Sequence, residues 1–577
     1  MKKIIRKLIV IIFLFNVFFS FKINDILFST SLQYTDSEHK KWTLMYYFCG
    51  DNNLENGFIS AINSLEKKVD PSQMNIIALF DRSPEHSTAS NNWTEARLLL
   101  ITNNRSNKIK SIILENWGEV SMDNYIILRR FVSYCLANFS SDYYVLNINN
   151  HGGGIVGGIC EDDSSQITDD DYNTLSLHEL SQAIENGILP YISKLDLINL
   201  RACNMGNLEI AYQLRDLTDY LIFSEESSYS DKRLFSNEIQ YLVNNPECTV
   251  IDYAKEYIDI YEKVNHGFFR RITRDTTLSL IDCRNFTNIL TKLENLVINL
   301  FQLIENGLSA DIMTTRFNTQ DFYSHLYIDL IHFLDNLILS NNIINFQPNI
   351  LEIVKDLKSE FAKIIIKNYQ DYNYKDTANG ISIFFPYPDY NHFESYISDY
   401  IAKSSYMQEI DFLYDSSYKN FINALFFIDS DNDNLKDWFE LNYGLNPLSN
   451  DTNLNHVLDG NEDIDKDGLS NNSEQFFGSN PLEIDTDSDR LTDKKEILGI
   501  LKPRNPGANY NGYVFSLPYD MDSDDDGNSD YQEIMYYNTD PLDNTNLVNS
   551  YALGIIVFCL SSLFLIIPIS GYKEKGP

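Results

Sequence analysis

Five short apolar runs set the strongest limit on how this chain folds. They are TLMYYF (43–48), NIIALF (75–80), YYVLNI (143–148), LDLINL (195–200) and YLIFS (220–224). Stretches with helical spacing separate several of them, at 125–139, at 176–186 and from 208 onward. Strands that alternate with helices and show no in-out polarity imply a parallel-rich sheet covered on both faces. In such sheets functional residues gather at the carboxyl ends of the strands. The pattern then turns mostly helical over 285–369, adds a strand at 380–385 (GISIFF) stopped by Pro386, and stays helical to 427. Residues 40–427 therefore read as one α/β unit of catalytic size.

The two ends point to a membrane. A basic head, Lys2, Lys3, Arg6 and Lys7, precedes an apolar stretch over 8–21. Residues 1–29 thus read as a signal peptide or an N-terminal anchor. An uncharged apolar run at 549–571 has the length of a transmembrane helix, and Lys573 and Lys575 follow it in a short tail, 572–577, expected on the cytoplasmic side. This order predicts a single-pass cell-membrane protein with its bulk extracellular. The net charge of −37 argues against any nucleic-acid partner, because such a chain repels phosphate backbones. Seven cysteines in 577 residues are too few for a disulfide framework.

Over half of that charge lies in 428–546, which holds 27 acidic and 7 basic residues. The acids fall on a twelve-residue template at positions 1, 3, 5, 9 and 12. The copies are Asp429, Asp431, Asp433, Asp437 and Glu440; Asp463, Asp465, Asp467, Asn471 and Glu474; Asp485, Asp487, Asp489, Asp493 and Glu496; and Asp522, Asp524, Asp526, Asp530 and Glu533. Calcium takes six to eight hard oxygen ligands, which a tight loop supplies from alternate residues with a final two-toothed Glu. Gly468 and Gly527 hold position 6, where the turn favours glycine. Asn434 and Arg490 stand there in the other two copies, which predicts sites that are weaker or that share ligands with a neighbour. Asn-Pro or Asp-Pro motifs follow three copies, as in 444–448, 478–482 and 539–542. The segment resembles bacterial thrombospondin type 3-like repeats, which implies a calcium-organised stalk whose folding tracks the metal.

Two motifs sit just beyond expected strand ends. Asn149-Asn150-His151-Gly152-Gly153-Gly154 follows YYVLNI, and Arg201-Ala202-Cys203-Asn204-Met205-Gly206 follows LDLINL. A histidine and a cysteine brought together there act as base and nucleophile. Backbone N–H groups of Gly152 and Cys203 are then the expected oxyanion donors. No further ligands with zinc spacing accompany the pair.

Together the motifs resemble the clostripain family of cysteine peptidases, of the caspase and legumain type. The opening 42–55 segment, LSLHEL at 175–180, the run from Cys203 to Ala211 and the late GISIFFP strand carry the resemblance across about 40–427. It implies Cys203 as the thiolate nucleophile of an acyl-enzyme, His151 as general acid and base, and protein or peptide substrates. Asp51 and Glu55 read as turn and helix-start residues, His178 as packing, and Cys49, Cys135, Cys160, Cys248 and Cys283 as core or surface thiols.

The chain departs from the family at one informative position. The family carries an aspartate two residues before the nucleophile, lining the pocket for an Arg or Lys. Here that residue is Arg201, which predicts a preference shifted toward Asp, Glu or a neutral side chain, blunted if Asp231 neutralises the guanidinium. Between His151 and Lys194 there is no Lys or Arg, so any self-cleavage in the acidic 161–171 loop is expected after an acidic residue; the other readings are a solvated loop or one that holds calcium. Two other readings share the sequence: a silent peptidase fold displayed as an adhesin, and a transamidase that passes the acyl group to an amine.

Overall fold

The computed structural model describes residues 36–84, 86–163, 173–229, 231–265, 275–322, 325–387, 400, 407, 409–501, 513–524, 526–537 and 539–542. The signal segment 1–29, the apolar run 549–571, the tail 572–577 and most of the acidic 161–171 loop lie outside these. Among the described residues no helix is long and apolar enough to cross a membrane.

The chain divides into two compact units. The first comprises 1–303, 315–386 and 396–422; the second comprises 304–314, 387–395 and 423–577.

The first unit is built on a nine-stranded sheet. Its strands are β1 (Asp36–Gly50), β2 (Met74–Arg82), β3 (Ala96–Leu100), β4 (Ile112–Gly118), β5 (Phe139–Asn149), β6 (Leu195–Arg201), β7 (Thr218–Phe223), β8 (Thr277–Asp282) and β9 (Ile365–Gln370). They run in the order β9-β8-β7-β6-β5-β1-β2-β3-β4. The central strands β7, β6, β5, β1 and β2 are mutually parallel, while β8 and β9 on one side and β3 and β4 on the other add antiparallel edges. The five apolar runs form that parallel centre. GISIFF lies outside the main sheet: its Ser382–Phe384 strand pairs antiparallel with Tyr327–Asp329.

Helices cover both faces of the sheet: α1 (Glu55–Glu66), α2 (Tyr125–Asn138), α3 (Leu177–Ile188), α4 (Leu208–Leu214), α5 (Lys232–Asn244) and α6 (Val250–Asn265). Side chains alternate along β1. Trp42, Leu44, Tyr46 and Phe48 join one buried cluster with Phe58 and Ile62 of α1, Phe235 of α5 and Tyr253 of α6. Tyr47 points to the other face, where its ring meets Phe131 of α2 and its hydroxyl donates to the Met122 carbonyl at 2.8 Å. Each large side chain so buried contributes about 1.5–3 kcal/mol. The helix starts are capped from the sequence. Ser176 and Glu179 form a reciprocal capping box on α3, and Asn124 and Asn207 accept backbone N–H groups at the starts of α2 and α4.

The second unit has little apolar core of this kind. Leu491, Val514 and Ile534 form one small cluster. Short helices begin at position 9 of the acidic loops, at Asp437, Asn471, Asp493 and Asp530.

Candidate active site and acidic loops

The parallel pairing of β5 and β6 sets Asn149 opposite Arg201. Two residues further on each strand come His151 and Cys203, so both leave the sheet at the same carboxyl edge. The backbones touch there. A Cβ on Gly152 would sit 2.6 Å from the Cys203 carbonyl oxygen and 2.8 Å from Ala202 Cβ, so only glycine allows the approach. Gly154 takes φ +72° directly beneath the Tyr327 hydroxyl, which donates to the Gly153 carbonyl at 3.2 Å. The Asn150 amide fixes the turn. Its nitrogen donates to the carbonyls of Cys49 (2.7 Å) and Glu161 (3.0 Å), and its oxygen accepts the N–H groups of His151 and Glu161.

The His151 imidazole contacts Asn53 Oδ1 through Nε2 at 2.9 Å. An amide oxygen only accepts, so this contact suits the tautomer with its proton on Nε2 and the lone pair on Nδ1. Asn53 stands between β1 and α1, so a third strand end reaches the imidazole. Spacing between His151 and Cys203 gives no hint of this partner.

Cys203 is half-buried, and its sulfur accepts the Ser228 N–H at 3.3 Å. Burial pushes the thiol above its ordinary range; the Ser228 N–H opposes that, and the Glu226 carboxylate reinforces it. Glu226 is itself held by the Ser227 N–H (2.8 Å) and the Tyr374 hydroxyl (3.0 Å). The turn after Cys203 places Asn204 at φ +57° and ties the Gly206 N–H to the Ser224 carbonyl at 2.7 Å. Glu226 and Ser228 follow β7, so three consecutive parallel strands contribute to one corner.

Arg201 behaves differently from its sequence reading. Its side chain is 1% exposed and forms an ion pair with the equally buried Glu238 at 2.6 Å, with a second bond to Asn147 Oδ1 at 2.9 Å. The rings of Phe235 and Tyr257 lie 4.8 Å from the guanidinium carbon, and that of Tyr46 5.4 Å. The hydroxyls of Tyr46 and Tyr253 donate to Glu238. Arg201 is thus neutralised inside the α5–α6 face and presents no charge to an open pocket. Asp231 does not neutralise it. That carboxylate caps α5 through the Arg233 N–H and pairs with the Arg233 guanidinium at 2.9 Å.

The remaining residues take modest places. His178 is partly exposed and pairs with Glu409 at 3.1 Å. Cys49, Cys135, Cys160 and Cys283 are buried free thiols, and Cys248 is a half-buried one.

In the second unit the four acidic loops share one backbone path, and a fifth stretch shares it too. Asp451, Asn453, Asn455, Asp459 and Glu462 occupy the same five positions. In all five stretches the position-9 N–H donates to the carbonyl just before position 1, at 2.7–3.1 Å. Position 6 has φ of 77°, 73°, 100°, 92° and 92° at Asn434, His456, Gly468, Arg490 and Gly527, so the non-glycine residues adopt the glycine conformation. Two asparagines in place of aspartates hid the Asp451 loop from a pattern built on acids.

The donor set suits a hard cation. The position-12 residues Glu440, Glu474 and Glu533 are fully buried, and both carboxylate oxygens of each lack a hydrogen-bond partner. Unpaired buried carboxylates are costly, and the positions that converge in these loops offer carboxylate oxygens, the hard donors that calcium takes. Burial, with neighbouring aspartates, pushes Glu440 to about 9 and Glu474 to about 8. Carboxylate oxygens of Asp429, Asp431 and Asp433 converge within 4.8 Å, as do those of the Asp463 and Asp485 trios.

The model of the clostripain family matches residues 46–438, about two thirds of the chain. Among curated proteins, clostripain of Hathewaya histolytica is 24% identical over 416 residues, covering 63% of this chain and 78% of its own. Among solved structures, a secreted C11 cysteine protease from Bacteroides thetaiotaomicron, in complex with an irreversible peptide inhibitor, aligns at 16% identity and a TM-score of 0.45, over 64% of this chain and 99% of its own. An inactive zymogen C11 protease from Parabacteroides distasonis aligns at 16% identity and a TM-score of 0.44, over 67% and 98%. The chain belongs to the clostripain family and is a cysteine-type endopeptidase.

Proposed function

We propose that this endopeptidase acts outside the cell through Cys203 and His151, tethered to the membrane by 549–571 and organised in 428–546 by calcium. The observation that carries the active-site reading is the Asn149–Arg201 register, which gives both side chains the same edge of the sheet. In this mechanism Cys203 rests as a neutral thiol, because burial and Glu226 both oppose the thiolate. On attack, Sγ bonds to the scissile carbonyl carbon while its proton passes to Nδ1 of His151. The Gly152 and Cys203 N–H groups receive the developing oxyanion. The imidazolium then protonates the departing amine, leaving a thioester. Water attacks that thioester with His151 as base, which frees the acid and restores the thiol. Asn53 keeps the imidazole in the tautomer that accepts at Nδ1.

Calcium, when bound, supplies positive charge to the loop carboxylates; Asp429, Asp431, Asp433 and Glu440, and their counterparts in the Asp463, Asp485 and Asp522 loops, would hold it. Arg201 takes no part in substrate choice in this reading, since Glu238 already matches its charge. A labelled peptide electrophile is expected to modify the wild type and not Cys203→Ala, and His151→Ala is expected to lose at least a hundredfold in turnover. Equal labelling of wild type and Cys203→Ala, or an unaltered rate in His151→Ala, would sink the assignment. Absence of any labelling would instead favour a silent fold used for binding.

A further inference from the structure

The position-9 aspartates are already engaged within their own loops. Asp437 accepts the Ser430 N–H at 2.8 Å, Asp459 the Thr452 N–H at 3.0 Å, Asp493 the Thr486 N–H at 2.8 Å and Asp530 the Ser523 N–H at 2.9 Å. Each thereby ties position 2 to position 9 and closes its own turn. Their remaining reach is directed elsewhere. An Asp459 oxygen lies within 4.8 Å of oxygens of Asp433 and Glu440, which belong to the preceding loop, and all three residues are buried. Asp493 stands in the same relation to Asp465 and Glu474 of its preceding loop.

A second contact repeats between neighbours. The position-5 aspartate accepts the position-10 N–H of the following loop: Gly460 to Asp433 at 3.0 Å, Lys494 to Asp467 at 2.9 Å and Tyr531 to Asp489 at 2.7 Å. That bond brings the next position-9 carboxylate to the mouth of the preceding site. Glu440 and Glu474 are 0% exposed and no protein group partners either oxygen, so the carboxylates of these trios are left to a cation from outside the chain.

We propose that a position-9 aspartate ligates the calcium ion of the preceding loop, so that Asp459 completes the Asp429 site and Asp493 completes the Asp463 site. This rests on the calcium reading above. It also gives the Asp451 loop a task. Its own centre is closed by the Asn453 and Asn455 amides, which donate to Glu462. Its Asp459 nonetheless serves the neighbour.

The test uses the full chain, stripped of metal and titrated with calcium. Trp438, buried at position 10 of the Asp429 loop, reports that site by its emission; Trp438→Phe supplies the baseline. Asp459→Asn is expected to weaken the Trp438-reported affinity at least tenfold, while Asp451→Asn leaves it within twofold. Calorimetry supplies a second arm that does not depend on Trp438. The Asp465→Asn/Asp493→Asn pair is expected to lose one tight ion jointly, and the Asp485→Asn/Asp493→Asn pair to lose two. Asp459→Asn titrating like the wild type, Asp451→Asn weakening the site as much as Asp459→Asn, or the first pair losing two ions, would overturn the shared-ligand scheme while leaving calcium binding intact. A wild-type chain that takes up no calcium would remove the calcium reading itself. Near-UV circular dichroism at saturating calcium checks that each variant reaches the wild-type end point.

Discussion

The two units of this chain bury opposite kinds of matter. The first packs Trp42, Leu44, Tyr46 and Phe48 against helices and buries ion pairs, Arg201 with Glu238 and Arg82 with Glu55, beside a few carboxyls such as Glu209 that burial raises. The second buries Glu440, Glu474, Glu496 and Glu533, none of which is ion-paired with a Lys or Arg among the described residues, around a small apolar cluster. One unit carries the means of its own folding in its side chains. On the calcium reading proposed above, the stability of the other is a property of the solution as well as of the sequence.

The largest expected effect breaks that comparison outright if it fails. Stripping calcium should abolish hydrogen-exchange protection across 429–537 while the central strands β1, β5 and β6 stay protected. Equal protection with and without chelator would mean that the second unit folds unaided.

Next in size is the buried pair of the first unit. Arg201→Met leaves Glu238 without its cation and should cost about 3–5 kcal/mol in urea unfolding of that unit. The cleavage profile on a peptide library should not change. A changed preference at unchanged stability would return Arg201 to the substrate pocket.

A third effect depends on pH. Burial lifts the Glu209 carboxyl to about 7. The folded unit therefore keeps a proton that the unfolded chain releases at the ordinary carboxylate value. Glu209 by itself should take stability from the first unit as pH rises from about 4.5 to about 7, by roughly 3 kcal/mol at most, and add no further slope above that. Glu209→Gln should flatten the slope in melts taken at several pH values.

The fourth effect concerns reactivity. Because burial and Glu226 raise the Cys203 thiol, its alkylation by iodoacetamide should keep climbing beyond about pH 8.5, the range of a free thiol. A plateau below neutrality would indicate a resting thiolate–imidazolium pair. The smallest effect is at position 6: Asn434→Gly should tighten calcium binding by less than about 1 kcal/mol, measured by titration, since asparagine already tolerates φ 77°.

What the sequence revealed follows physical lines. The five central strands were legible because both their faces are buried, which makes each a nearly unbroken apolar run. The edges were not. β4 (IILENWG) and β9 (IIKNYQ) are half-exposed and mix charge into the run, and β8 (TLSLID) is interrupted by Thr, Ser and Asp. His151 and Cys203 stood out because glycines and strand ends surround them. Asn53 and Glu226 did not, since only the folding of β1 and β7 beside β5 and β6 brings them near. Arg201 was misread for a related reason: whether a strand-end side chain turns outward or inward depends on Glu238, 37 residues later, which no local pattern discloses. In the acidic tract the spacing of aspartates exposed four loops, and asparagines concealed the Asp451 loop.

Glu462 ends the Asp451 loop and its carbonyl receives the Asn471 N–H that closes the Asp463 loop, at 2.7 Å. No spacer residue separates the two turns. Adding or removing one amino acid there would part the Glu462 carbonyl from the turn it closes, although each following loop would keep its own internal spacing. Such a tract is expected to change length by whole modules, with single-residue indels confined to the spacers between other loops.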